Sequence, residues 1–394
     1  MQEPSPVAPG SPARLKIAFI KRKKFSHINA SLRAQLERCF PALELEEIDV
    51  FRDFICRRPD VVLRNLFAIL RLYGKDILHG QRQFQVCFYR TPYIFQAIRR
   101  WLRSRLGPRR GEFAFSFATQ SLYDASIPTL PHFLYTDHTH LANLSYPHFS
   151  PGSLFAAEWI ALEREIYRNA AGVFVPGDHV LQSLREQYGC PPERTQCVHA
   201  GINFPEAPPP LQNDGYRNQT IAFVGIDWQR KGGPELIEAF QRLRQQLPEA
   251  RLLIIGTSPS VHHPGIHIAG RVPIGEVSRL LAGASVLCLP SRIEPFGIAV
   301  LEAFACGLPA IVTRIGALAG MVCDGETGRV VEAGNSLALA DALGELLSDP
   351  EKCRRYGEAG RRYVLENGTW EAVGNKLHNA INASLSEQDG SANQ

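Results

Sequence analysis

Apolar residues in this chain come in short bursts, and the bursts alternate with stretches whose apolar positions recur at helical spacing. Residues 15–20 read as a buried strand, 28–40 as a helix and 43–50 as a second strand, a βαβ opening that predicts a parallel sheet. Further strands are expected at 113–117, 132–135 and 171–175, with a helix over 178–188, and residues 197–203 close this half. Leu66, Ile69, Leu70 and Tyr73 recur at helical spacing between them. A Pro-rich, polar stretch over 205–218 reads as a linker. Beyond it the alternation restarts, with strands at 220–224, 251–255, 266–268, 285–289 and 309–312 and helices at 234–246, 274–282 and 297–306.

Two successive arrays of this kind predict an α/β protein of two doubly wound, Rossmann-like domains facing each other across a cleft, with ligands at the carboxyl ends of the strands. The expected divisions are a disordered leader over 1–14, a first domain over 15–204, the linker, and a second domain over 219–369. A final helix over 370–388 is expected to cross back to the first domain. A length of 394 residues, with 45% hydrophobic and 21% charged, suits two folded cores. The nine cysteines are odd in number and form no CxxC pair, which points to a reducing compartment rather than a disulfide framework. With no signal peptide and no apolar run long enough to span a bilayer, a cytoplasmic location is expected, with peripheral contact at the inner membrane face.

The net charge of +4 says little, but the first third is dense in cations: Lys21-Arg22-Lys23-Lys24, Arg57-Arg58, and Arg99, Arg100 and Arg103. Such a front half suits an anionic partner, either a phosphorylated acceptor or a membrane surface. Nucleic acid is set aside because the basic runs lack interleaved aromatic platforms on a recognisable module. The helix that follows Thr91-Pro92 carries Phe95, Ile98, Leu102 and Leu106 on one side with arginines around them. It reads either as a membrane-surface helix or as a helix packed on the sheet, and the second is favoured.

The most informative segment runs from Ser291 to Pro309. A buried strand ends at Pro290, a loop carries Glu294, and a helix opens at Gly297 with Glu302 inside it. The amides of Phe296, Gly297 and Ile298 are first-turn donors backed by the helix dipole, which makes a diphosphate site, and Gly297 lets a phosphate approach the backbone. Glu294 can accept hydrogen bonds from sugar hydroxyls and Glu302 can reach a ribose diol. The plainer alternative is a capped core helix with two surface glutamates. A second element, Gly225 to Pro234, ends a strand and starts a helix, with Arg230 and Lys231 in its loop. A third, Asp137-His138-Thr139-His140, lies just past a first-half strand. Together with His148 it supplies only part of a metal-ligand set, so no metal is expected. The loop over 21–29 is basic where a strand ends, which suits an anionic acceptor or a donor phosphate, with Lys24 as a candidate contact.

Glu294 and Glu302, with their Gly and Pro punctuation, resemble the E-x7-E signature of retaining GT-B glycosyltransferases, in particular glycosyltransferase family 4. The resemblance covers about residues 170–375 well and the first half loosely. It includes Phe223-Val-Gly225 to Lys231-Gly232, Leu253-Ile-Ile-Gly256 and Gly325-Glu-Thr-Gly328. It implies a GT-B fold and transfer of a hexose-type sugar from a nucleotide sugar, UDP- or GDP-linked, to a glycan, lipid-linked or other hydroxyl acceptor. Configuration would be retained, with neither metal nor cofactor. It also implies roles: Lys231 neutralises the leaving diphosphate, His138 contacts the donor sugar, and Gly270-Arg271-Val272 lies beside the nucleobase. Asp137 and His140 are candidates for the acceptor. The family commonly has an arginine just after Gly225, where this chain has Ile226, and Arg230 is the adjacent replacement. Ile226 also supports a second reading, a nucleotide-sugar-binding protein with little catalysis. A third is another GT-B enzyme, such as a phosphorylase or an epimerase, and the Lys231 loop counts against both.

Overall fold

The computed structural model describes residues 14–23, 25, 27–147, 149–204, 207–209 and 213–392. Lys24, His148, the leader up to residue 13 and part of the 205–218 linker lie outside the described residues. The described chain divides into two compact units. One takes the residues up to Tyr135, Phe155–Val173 and the chain from Ala380; the other takes Thr136–Leu154 and Phe174–Asn379.

The first sheet is built of β1 (Lys16–Lys21), β2 (Glu44–Asp49), β3 (Phe113–Thr119), β4 (His132–Tyr135), β5 (Gly172–Val175) and β6 (Thr195–Cys197), in the order β2-β1-β3-β4-β5-β6. Its first four strands pair in parallel, with Ile17 opposite Leu45 and Phe117 opposite Phe133. β1 is apolar throughout its centre because both faces are covered: Ile17, Ala18, Phe19 and Ile20 are buried. Helices α1 (Ile28–Cys39), α2 (Pro59–Leu78), α3 (Pro92–Leu106), α4 (Ala157–Asn169) and α5 (Asp178–Glu186) connect the strands.

α3 opens on Thr91, whose hydroxyl accepts the Ile94 amide at 3.2 Å, and on Pro92, whose fixed φ suits a first helical residue. Ile94, Phe95, Ile98, Leu102 and Leu106 are all buried, and Trp101 stacks on Phe54 at 5.0 Å. Its apolar face is spent on the first unit's own core, and Arg99 turns inward to Asp124 and Glu165. α2 differs from the expected set. Val61, Asn65, Ile69 and Tyr73 are buried, while Leu70 is exposed, so the four residues singled out by spacing belong to two faces.

The second sheet holds β7 (Thr220–Val224), β8 (Arg251–Ile255), β9 (Ile266–Gly270), β10 (Val286–Leu289), β11 (Ala310–Thr313) and β12 (Gly328–Val331), in the order β12-β11-β10-β7-β8-β9. All five pairings are parallel. Around it lie α6 (Gly233–Gln246), α7 (Ile274–Leu281), α8 (Ile298–Ala305), α9 (Ser336–Leu347) and α10 (Pro350–Asn367), while α11 (Trp370–Ala392) begins in this unit and ends in the first. The chain winds from β7 outward to β9, then returns to β10 and winds the other way. The switch point therefore lies between β7 and β10, and the loops after those two strands are the ones that flank it. The first sheet switches likewise between β1 and β3.

Candidate functional site

β7 ends at Val224, and Gly225 continues its line by donating its amide to Ile255 O at 2.9 Å. The loop then closes on itself, with the Lys231 amide bonded to Asp227 O at 3.0 Å. Gly232 begins α6 in the left-handed region at φ 74°, and a Cβ there would lie 1.8 Å from Pro290 O, at the end of the strand next door. Gly232 thus brings the two switch-point loops into contact. Arg292 N donates to Arg230 O at 2.8 Å and joins them a second time.

Lys231 and Glu294 meet between these loops. Both are buried, at 8% and 5% exposure, and the ammonium of Lys231 donates to Glu294 Oε2. Ser291 Oγ donates to the same oxygen at 3.3 Å. Arg230 is turned toward the pair: Nη1 donates to Ile293 O at 2.8 Å and lies 3.9 Å from Glu294 Oε2. The Glu294 backbone is fixed from β11's side, since Gly316 packs so tightly that a Cβ would come 2.0 Å from Glu294 O. Gly297 is left-handed at φ 91° and opens α8. Among the described residues, the amides of Phe296, Gly297 and Ile298 donate to no backbone or side-chain acceptor.

Glu302 sits in the second turn of α8 at 3% exposure and accepts Asn203 Nδ2 at 2.9 Å. Neither glutamate is a surface residue, which removes the plainer reading of the segment. Burial pushes the Glu302 carboxyl up to about 7 against an ordinary value of 4.5, while Asn203 and then Lys231 pull it down. A group with a raised pKa in the folded chain contributes stability that is fully present below about 4.5 and lost as pH rises through about 7. Glu302→Gln is therefore expected to flatten the decline of unfolding free energy over that window, measured by urea unfolding at several pH values. An unchanged slope would assign the decline to another group.

Gly225, Gly256 and Gly270 stand side by side at the ends of β7, β8 and β9, with Gly256 N bonded to Gly270 O at 2.7 Å. Next to them Arg271 is exposed and Val272 packs half-buried on the core.

The Asp137–His140 segment belongs to the second unit. Thr136 N bonds Phe174 O at 3.0 Å, and Thr139 Oγ1 meets Ser183 Oγ at 2.6 Å, which holds the loop beyond β4. His138 stacks on Tyr146 at 6.3 Å. The Tyr146 hydroxyl reaches Gly316, and after burial the Glu294 charge is what most raises its pKa, so the stack borders Glu294. Burial pushes the Asp137 carboxyl up to about 6. His140 is buried and opens a short 3-10 turn, its carbonyl accepting Asn143 Nδ2 at 2.8 Å.

Three residues of this neighbourhood escaped the sequence reading: Tyr146, Asn203 and His179. Both ring nitrogens of His179 are buried without a hydrogen-bond partner among the described residues, and burial, then His138, lowers its pKa to about 4. The Gly177-Asp178-His179 turn at the end of β5 was the available signal. In the first unit, Arg22 lies at the β1/β3 switch point, donating to Gln120 Oε1 at 3.3 Å with its guanidinium 4.6 Å over the Tyr89 ring.

The family "Glycosyl transferases group 1" matches residues 215–363, and "Glycosyltransferase Family 4" matches residues 87–206. A GDP-mannose-dependent alpha-(1-6)-phosphatidylinositol monomannoside mannosyltransferase of Mycolicibacterium smegmatis is 34% identical over 166 residues, 38% of this chain and 44% of that one. The chain spans about half the length of the curated relatives it matches. Among solved structures, sucrose-phosphate synthase from Thermosynechococcus elongatus superposes with a TM-score of 0.64 at 19% identity, covering 96% of this chain and 100% of that one. Anabaena HepE in complex with UDP-glucose gives 0.60 at 14% identity, covering 94% and 100%. These two likenesses speak for the fold.

Proposed function

The chain belongs to glycosyltransferase family 4, with the GT-B fold, and from that premise we propose that it moves a hexose-type sugar from a UDP- or GDP-sugar to an acceptor hydroxyl with retention of configuration. The observation that carries this reading is the buried Lys231–Glu294 pair at the switch point, beside three amides at the start of α8 that have no acceptor among the described residues.

In this reading the donor diphosphate rests on the amides of Phe296, Gly297 and Ile298, where the helix dipole favours negative charge. As the glycosidic bond breaks, charge grows on the diphosphate, and Lys231 is already in place to neutralise it. Ile226 is 68% exposed and brings no charge, so Arg230 takes the second cationic place. Glu294, steadied by Lys231 and Ser291, orients the sugar hydroxyls and forms no covalent bond. Glu302 accepts the ribose diol, and Gly225, Arg271 and Val272 border the base. His138 faces the sugar. The acceptor hydroxyl attacks from the face the diphosphate leaves and gives its proton to a phosphate oxygen of the leaving group, so neither metal nor cofactor is required. Asp137 and His140 are assigned to the acceptor, and Lys24, outside the described residues, is kept as a candidate contact for an anionic glycan or lipid-linked acceptor. Donor chemistry is assigned to 219–369 and acceptor chemistry to 15–204, in a protein working in the cytoplasm at the inner membrane face. The GDP-mannose named for the mycobacterial relative and the UDP-glucose held by HepE support the choice of donors.

Slow hydrolysis of the donor tests the stereochemistry, because water then takes the acceptor's place. Proton NMR of the first-formed sugar is expected to show the donor's anomer; the opposite anomer would overturn retention. Arg230→Ala is expected to lower kcat by about tenfold to a hundredfold with little change in donor KM, since its charge acts on the leaving group. An unchanged kcat would mean that the place left by Ile226 needs no second cation.

A further inference from the structure

α2 is packed on one side and bare on the other, and both sides are apolar. Val61, Asn65, Ile69 and Tyr73 face the first unit, each four residues from the last. Leu63, Phe67, Leu70 and Leu78 form a second stripe, 59%, 74%, 57% and 87% exposed. At about 100° per residue the two stripes lie on opposite sides of the helix. Phe84 and Val86, in the next turn of chain, are exposed as well. Single exposed leucines are ordinary, whereas four large apolar residues on one side of a helix, one of them a phenylalanine, mark a surface that is covered in use.

The charges along this helix are divided. Its acids are neutralised, Asp60 by Arg58 at 2.7 Å and Asp76 by Arg82 at 2.7 Å. Its bases Arg64, Arg71 and Lys75, which line one edge of the bare stripe, make no ion pair among the described residues. Some cations of the unit do turn to carboxylates, as Arg99 does to Asp124 and Arg109 to Glu46. An unneutralised basic edge beside a convex apolar ridge complements one kind of surface in both respects, a bilayer with anionic headgroups. No described helix is long and apolar enough to cross a membrane, so the contact is one of lying on the surface.

We propose that α2 docks the protein on an anionic membrane, with Leu63, Phe67, Leu70 and Leu78 sunk into the headgroup boundary and Arg64, Arg71 and Lys75 against lipid phosphates. The basic helix α3 cannot play this part, because its apolar face is buried in the unit. The proposal stands on the first unit alone and does not depend on the transferase reading.

Flotation of the full chain with phosphatidylcholine vesicles, with and without phosphatidylglycerol, tests it. Binding is expected only with phosphatidylglycerol, and it is expected to weaken as salt rises. Changing Arg64, Arg71 and Lys75 together to Gln removes three attractions of about fivefold each and should weaken binding roughly a hundredfold. Phe67→Glu with Leu70→Glu should abolish it. These side chains are exposed, so donor turnover should be unchanged in both variants. In Phe67→Trp, tryptophan emission is expected to be quenched by vesicles of brominated lipid. The proposal is overturned if the wild type stays in solution with phosphatidylglycerol vesicles, or if that tryptophan is not quenched. It is equally overturned if the chain is a dimer in solution that Phe67→Glu dissociates, since the stripe would then be an interface between copies.

Discussion

Lys231→Ala is expected to lower kcat by two to three orders of magnitude while donor KM changes far less. Removing one preorganised charge from a leaving group costs about 3 kcal/mol in a site that excludes water. Lys231 meets that description: it is buried, its amide is tied into the loop, and its ammonium is held by Glu294 before any substrate arrives. The same pairing means that the variant leaves a buried carboxylate with Arg230, 3.9 Å away, as its remaining cation. Lys231→Arg is therefore a necessary companion, since it keeps the charge and changes the shape. Steady-state kinetics with saturating acceptor separate the cases. Equal losses in kcat and kcat/KM locate the effect in the transition state, whereas a rise in KM alone would make Lys231 a ground-state binder.

Gly232→Ala is expected to be the most damaging small substitution in the second unit, destabilising it by roughly 3 to 4 kcal/mol. Two costs combine there. A left-handed φ of 74° is expensive for any residue with a Cβ, by about 1–2 kcal/mol. The added Cβ would also meet Pro290 O at 1.8 Å, and a backbone oxygen at the end of a buried strand has nowhere to move. Gly334 supplies the control, with a φ of 81° and nothing within 4 Å of a Cβ, so Gly334→Ala carries the first cost alone. Urea unfolding of both variants measures the difference. Similar midpoints would mean that the Pro290 contact relaxes and that the two switch-point loops are less rigidly joined than their geometry indicates.

Much of the second unit was legible because its site lies in continuous stretches with strong local punctuation. Gly297 before α8 and Gly307-Leu308-Pro309 after it mark the ends of a helix so apolar that it had to be buried, which places Glu294 and Glu302 by counting. What counting could not supply was the turn of each side chain. Arg230 reaches Ile293 O, 63 positions along the chain, and only packing could show that it points inward. The contact of Tyr146 with Gly316, and the bond of Asn203 to Glu302, join segments with no shared pattern. β12, Gly-Arg-Val-Val, and β6, Thr-Gln-Cys, were missed because each includes polar residues and is only partly buried, so neither forms an apolar burst. In α2 the spacing signalled a helix correctly but merged its two apolar faces, since a strip meant for the core and one left bare follow the same 3.6-residue rule.

The most direct test of the account is nucleotide release from a panel of UDP-, GDP-, ADP- and TDP-sugars, with the wild type set against Lys231→Ala and Glu294→Ala. A UDP- or GDP-sugar is expected to be turned over by the wild type, with turnover lost in both variants. Saturable donor binding without turnover, across a broad set of acceptors, would contradict it and would make this chain a sugar-nucleotide-binding protein in which Ile226 stands where a catalytic cation is needed.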